Sequence, residues 1–216
     1  LELCNHFMRS STNEQKADDD GHPTQELKDY YIKLSEGHIG LIVTGFMHVH
    51  PKGKATENQC GMFSDELAQD WASTVETIHK NGSKILVQLT HGGPGALLEA
   101  VSAGDRGRPL TTQEVKEIEG WFIEAAKRCE KVGFDGIQLS SGHGYLLSTF
   151  LSPITNHRKD EYGGSTENMV RVVSNIAEGI RKATGPDFVI GIKLNGTDCI
   201  EGGVTPEIAS KYVSLL

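Results

Sequence analysis

The sequence predicts an α/β protein on a parallel sheet, and within that class an incomplete (β/α)8 TIM barrel with about five of its eight βα units. Three observations lead there. Short β-rich runs alternate with longer segments of helical period, the pattern of successive βα units. Four of those runs are almost continuously apolar, as strands buried on both faces must be. Unusual polar residues follow the carboxyl ends of the runs, where barrels collect their chemistry.

The first strand, Leu3 to Met8, is the weakest and runs into Arg9-Ser-Ser-Thr12. No G-x-G-x-x-G follows it, so an open dinucleotide-binding sheet loses its usual support. A helix over Thr24 to Ser35 leads to a strand over Ile39 to Gly45, and a helix over Asp65 to Lys80 leads to a strand over Lys84 to Thr90. The next helix, Thr111 to Val132, carries Val115, Ile118, Phe122, Ala125, Cys129 and Val132 on one face, and Thr111 with Glu114 makes a capping-box pattern at its start. After the strand Gly136 to Ser140 comes a helix from Ser165 to about Ala183, with Met169, Val173, Ile176, Ala177 and Ile180 inward, closed by Gly185-Pro186. The fifth strand is Phe188 to Leu194, and Thr205-Pro206-Glu207 opens the last helix with a cap residue, a first-turn proline and an acid.

Composition narrows the partners. The chain has 216 residues and a formal charge of -8, which disfavours nucleic acid or an anionic membrane surface and suits a small-molecule substrate. Cys4, Cys60, Cys129 and Cys199 are widely spaced, so neither a zinc site nor a redox dithiol is signalled, no metal is expected, and a reducing cytoplasmic setting is the simplest reading. The longest apolar runs fall far short of the roughly 20 residues that span a bilayer. The chain opens on Leu1 and stops at Leu216 inside a helical segment, so a longer parent sequence is expected.

The strand ends carry Ser10, Ser11 and Thr12, then Gly45, Gln88 with His91, Ser140 with His143, and Lys193 with Asn195. Any one of them has a bland structural explanation; five strands contributing at one end point to an enzyme mouth. The stretch Ser140-Ser-Gly-His-Gly-Tyr-Leu-Leu147, followed by Phe150-Leu-Ser-Pro153, Asn156-His-Arg-Lys-Asp160 and Tyr162-Gly-Gly-Ser-Thr-Glu-Asn168, closely resembles the old yellow enzyme family of NADH:flavin oxidoreductases. Further likeness lies in Asp20-Gly-His-Pro-Thr24, Gly40-Leu-Ile-Val-Thr-Gly45, Gln88-Leu-Thr-His-Gly-Gly93 and Gly191-Ile-Lys-Leu-Asn195, so it covers essentially the whole chain.

That resemblance implies an FMN-binding barrel, of which residues 1–216 are the N-terminal portion, taking hydride from NADH or NADPH and passing it to an activated alkene such as an enone, nitroalkene or enoyl ester. Tyr145 would be the proton donor, and His143 would hydrogen-bond the substrate oxygen on which charge develops. Lys193 would sit beside the anionic edge of the reduced ring and Gln88 would read its pyrimidine edge. Thr12 would tune the flavin, Gly45 would let the ring lie flat on backbone, and Ser10 and Ser11 would offer main-chain contacts. Arg158, Asp160, Tyr162 and Gly163-Gly164 would be scaffold for the loop presenting Tyr145. A homo-oligomer is compatible with this reading.

The sequence departs from the family pattern in three ways. Ser140 replaces the first histidine of His-x-x-His, a shorter donor that cannot carry charge. Pro94 and Met169 stand where arginines are usual, which bears on substrate preference. Strands six to eight, which carry the phosphate site of such barrels, are absent from these residues, so the isolated 216-residue chain is expected to bind FMN weakly and to expose an associating edge. The alternatives are a truncated non-catalytic barrel fragment and the barrel portion of a larger iron-sulfur flavoenzyme resembling dienoyl-CoA reductase.

Overall fold

A computed structural model describes residues 1–216. In chain order its main elements are β1 (Met8–Arg9), α1 (Gln25–Glu36), β2 (Leu41–His48), α2 (Asp65–Gln69), α3 (Ala72–Lys80) and β3 (Lys84–Thr90). There follow β4 (Val101–Ser102), β5 (Arg108–Pro109), α4 (Thr112–Lys131), β6 (Gly136–Ser141), α5 (Leu146–Leu151), α6 (Thr166–Thr184), β7 (Val189–Leu194) and α7 (Pro206–Leu215). The main sheet of five strands has the order β1-β2-β3-β6-β7, every pairing parallel, so neighbours in space are neighbours in the barrel succession, and β4 pairs with β5 in a separate two-stranded ladder. Helices fill every connection between strands of the main sheet, as parallel pairing demands. This is an incomplete (β/α) barrel: β7 is half-exposed along its whole length, and Phe7 and Met8 are exposed at the β1 edge.

The strands have an outer and an inner face. Ile42, Met47, Ile85, Val87, Leu89, Ile137 and Leu139 point outward into one apolar core with the helices. The alternate positions Leu41, Val43 and Leu86 form a separate small cluster with Leu3 and Val189 on the concave side. By the same alternation, Gln88, Gln138, Ser140 and Lys193 lie on that concave face, above the apolar floor and towards the carboxyl ends.

Three elements differ from expectation. The first strand is Met8–Arg9 alone, because the Asn5 side chain takes over the preceding segment: its Oδ1 accepts from the Phe7 and Gly40 N–H groups and its Nδ2 donates to the His38 carbonyl. The second strand does not stop at Gly45. A register shift between Val43 and Phe46 adds a bulge there, with Gly45 N–H on the Tyr31 hydroxyl at 2.7 Å and Gln88 N–H on Thr44 Oγ1 at 3.3 Å. The bulge turns Phe46 onto the same face as Gln88, its register partner. The expected helix from Asp65 to Lys80 breaks at Asp70 and Trp71, where the fully buried Trp71 ring wedges beside Tyr31 and Phe134.

The capped helices begin where the sequence placed them. Thr111 and Glu114 close a reciprocal capping box on α4, and Thr205 caps α7 with Pro206 in its first turn. Gly185, at φ 79°, ends α6.

Candidate active site

The mouth of the half-barrel is drawn together from both edges of the sheet. Lys193 Nζ, on β7, donates to Ser10 Oγ, just beyond β1, at 3.1 Å. Lys193 has no carboxylate partner, so its charge is met by a neutral hydroxyl alone. Ser140 lies opposite Lys193 in register and is 2% exposed. One layer deeper, Gln88 Nε2 donates to Gln138 Oε1 at 2.7 Å, which fixes the Gln88 amide and directs its own carbonyl oxygen elsewhere.

The remaining positions around β1 and β2 form a second group. Ser11 Oγ is buried without a partner, and the Thr12 hydroxyl reaches the Ser10 carbonyl at 3.5 Å. Arg9 binds the Val43 and Thr12 carbonyls and pairs with Glu14, which also accepts from the Tyr31 hydroxyl. A Cβ on Gly45 would run into that Glu14 carboxylate and lie 2.8 Å from the Thr12 carbonyl oxygen. The smallness of Gly45 is therefore already required by this network.

Past β6 the chain makes a tight left-handed passage, His143 at φ 61° and Gly144 at φ 81°, before α5 starts. Histidine tolerates that region better than branched residues do. Neighbouring strands clamp the passage. The His143 N–H donates to Asn195 Oδ1 at 3.1 Å, a Cβ on Gly142 would stand 2.7 Å from that oxygen, and Leu146 N–H donates to the His91 carbonyl at 3.1 Å. The Tyr145 ring rests on Phe46, centroids 5.2 Å apart, so it stands over the concave face. Burial pushes its hydroxyl pKa up, which keeps the phenol protonated at neutral pH. The His143 side chain is exposed and has no hydrogen-bond partner.

Behind the passage, Arg158 is held between Phe150 and Tyr162, at 5.7 and 5.9 Å from the ring centroids, and binds Asp160 and the Leu110 carbonyl. Asn156 Nδ2 ties the Phe150 and Tyr162 carbonyls together at 2.7 Å each. Two residues and one helix of the site do not stand out in the sequence. Gln138 reads as one polar residue in an apolar strand, Phe46 as a residue past a strand-ending glycine, and the length of α5 gives no period because all six of its residues are buried.

The donor set suits a planar, anionic heteroaromatic cofactor. A cation without a counter-ion and an oriented amide lie on the concave face, with an unpartnered buried hydroxyl on Ser11 next to the Ser10 that meets the cation, and FMN calls for such groups.

Comparison with known proteins agrees. A model of the NADH:flavin oxidoreductase / NADH oxidase family matches residues 1–214. The chain is 35% identical over 215 residues to the NADH oxidase of Thermoanaerobacter brockii, covering 93% of this chain and 33% of that protein. It is 37% identical over 199 residues to the NADPH dehydrogenase of Clostridium acetobutylicum, covering 87% and 59% respectively. Among solved structures, the Old Yellow Enzyme from Pichia sp. AKU4542 superimposes at a TM-score of 0.90 and 25% identity over 99% of this chain and 63% of that one. A 2-naphthoyl-CoA reductase in complex with 2-naphthoyl-CoA gives 0.93 at 26% identity over 99% and 36%. The chain thus spans between 33% and 63% of the length of these relatives. With the match running through nearly every residue, the chain belongs to the FMN-dependent NADH:flavin oxidoreductase / NADH oxidase family.

Proposed function

We propose that this chain forms the reactive mouth of an NAD(P)H oxidoreductase that reduces the C=C bond of an activated alkene, an enone, nitroalkene or enoyl ester. One observation carries the reading: Tyr145, a protonated phenol without a hydrogen-bond partner, stands over the same concave face as the counter-ion-free Lys193. FMN, when bound, supplies the storage of hydride received from NADH or NADPH. Lys193 and Gln88 would hold it, with Ser10, Ser11, Thr12 and Gly45 lining its near edge.

The side chains divide the remaining work. Tyr145 holds a proton at Oη and delivers it to the alkene carbon beside the activating group. His143 and Ser140 offer donors to the substrate's carbonyl or nitro oxygen, where negative charge grows. Ser140 is the shorter of the two and stays neutral, so His143 carries more of that stabilisation. Asn195 and the His91 carbonyl hold the left-handed passage from either side, which keeps Tyr145 and His143 in fixed relation. Four unpaired cysteines suit a reducing cytoplasm.

The test is anaerobic. Flavin in the full-length protein is reduced with NADH or NADPH and then mixed with enones, nitroalkenes and enoyl esters. Reoxidation by members of that panel is expected; reduction by NAD(P)H with no reoxidation by any alkene would contradict the proposal.

A further inference from the structure

A cleft of about 390 Å³ opens at His143 and Gly144, the two residues before Tyr145, between the His143–Thr155 segment and the loop after β7. Its volume is in the range of small-molecule sites. The hydroxyls along its α5 wall are already committed. Ser148 donates to the Tyr145 carbonyl, Thr149 to the Leu146 carbonyl, Thr155 to the Thr149 carbonyl and Ser152 to Asp198. Asp198 is satisfied as well, accepting from Ser152, the Val204 N–H at 2.9 Å and Asn195 Nδ2 at 3.2 Å.

Two ionisable donors facing this space are left without partners: Arg106 and the His143 ring. The Arg106 guanidinium lies against bare glycine backbone one residue before Tyr145, since a Cβ on Gly144 would be 3.3 Å from Arg106 Nη1. A glycine-dependent turn puts it there. Gly107 has φ 136°, and a Cβ on it would stand 2.8 Å from the Ala100 carbonyl oxygen. The neighbouring Asp105 is drawn off by His157 at 3.1 Å, and so does not neutralise Arg106. Ile154 and Ile200, both exposed, supply apolar surface at the rim.

We propose that this cleft seats an anionic group, carboxylate or phosphate, at the far end of the substrate, with Arg106 as its ion-pair partner and the alkene extending back to Tyr145. The inference rests on the alkene-reductase reading and adds a substrate class to it. A fork of guanidinium donors matches both anions, and with the hydroxyls committed, Asp198 satisfied and His143 assigned to the substrate's carbonyl or nitro oxygen, Arg106 is the group that discriminates charge.

The experiment uses the FMN-loaded full-length protein and three enones that differ only at the chain end: a carboxylate, its methyl ester and a phosphate ester. The wild type is expected to favour the anions over the neutral ester by roughly tenfold or more in kcat/KM, an advantage that falls with added salt. Arg106→Gln should abolish that preference through KM, with kcat and the neutral ester unchanged, while Arg106→Lys should keep part of it. The carboxylate-to-phosphate ratio tells which anion the cleft takes. Because each preference is a ratio within one protein, partial misfolding of a variant cancels. Calorimetric binding of the saturated, non-reducible acid and ester separates the two claims. Arg106-dependent binding of the acid without alkene turnover would sink the reductase reading and keep the cleft; acid binding indifferent to Arg106→Gln would overturn the cleft whatever the turnover.

Discussion

Lys193 and Ser10 stand 183 residues apart in sequence yet share a 3.1 Å hydrogen bond. They belong to opposite edges of the five-stranded sheet, which if flat would separate them by about 19 Å, four strand spacings of roughly 4.8 Å. A lysine side chain cannot cross that gap, so the contact records the curl of the sheet. The same curl makes residues from the first and last strands of the chain parts of one mouth.

Replacing Lys193 by Met should weaken FMN binding by about ten- to a hundredfold and shift the flavin potential negative, because a fixed cation no longer favours the anionic reduced ring. Fluorescence titration of the apoprotein and a redox titration of the bound flavin check this. An unchanged potential would place Lys193 outside the flavin site.

Acid should destabilise the fold through two histidines. His48 and His91 are pulled down to about 4, chiefly by burial and then by neighbouring positive charge, so the folded chain holds them neutral while the unfolded chain protonates them near 6.5. Between about pH 6.5 and 4 the unfolded state binds more protons, so stability falls as pH drops through that window and levels off below it. The loss is at most about 3 kcal/mol per histidine. Urea unfolding across pH 4 to 8 measures it, and His91→Gln should remove about one proton from the slope.

Gly45→Ala should cost about 1–3 kcal/mol, since the added methyl meets the Glu14 carboxylate and the Thr12 carbonyl. The double variant with Glu14→Ala should recover part of that loss, whereas additive effects would show that the two do not touch.

Arg158→Ala should cost about 3 kcal/mol, more than Arg158→Lys, as it leaves Asp160 short of its partner and empties the space between Phe150 and Tyr162. Asp160, held at about 2 by Arg158, is the group whose pKa should rise in the variant; NMR titration follows it directly.

Local chemistry was legible in the sequence. Thr111 with Glu114, and Thr205 with Pro206, fix helix starts through contacts within one turn, and continuous apolar runs announce strands buried on two faces. What stayed hidden depends on distant partners. The continuation of β2 past Gly45 needs the Tyr31 hydroxyl and a Gln88 N–H, and the break between α2 and α3 needs the pocket that receives Trp71. The residue types of the mouth could be read from the strand ends, but the pairs Gln88 with Gln138 and Lys193 with Ser10 arise from register and curvature.

The most direct test is Tyr145→Phe in stopped flow, with the two half-reactions measured separately. Flavin content and the rate of reduction by NAD(P)H should stay as in the wild type, while reoxidation by an enone slows by about 10²- to 10⁴-fold, the contribution of a positioned proton donor. Undiminished reoxidation, or loss of flavin from the variant, would contradict the assignment of Tyr145 as that donor.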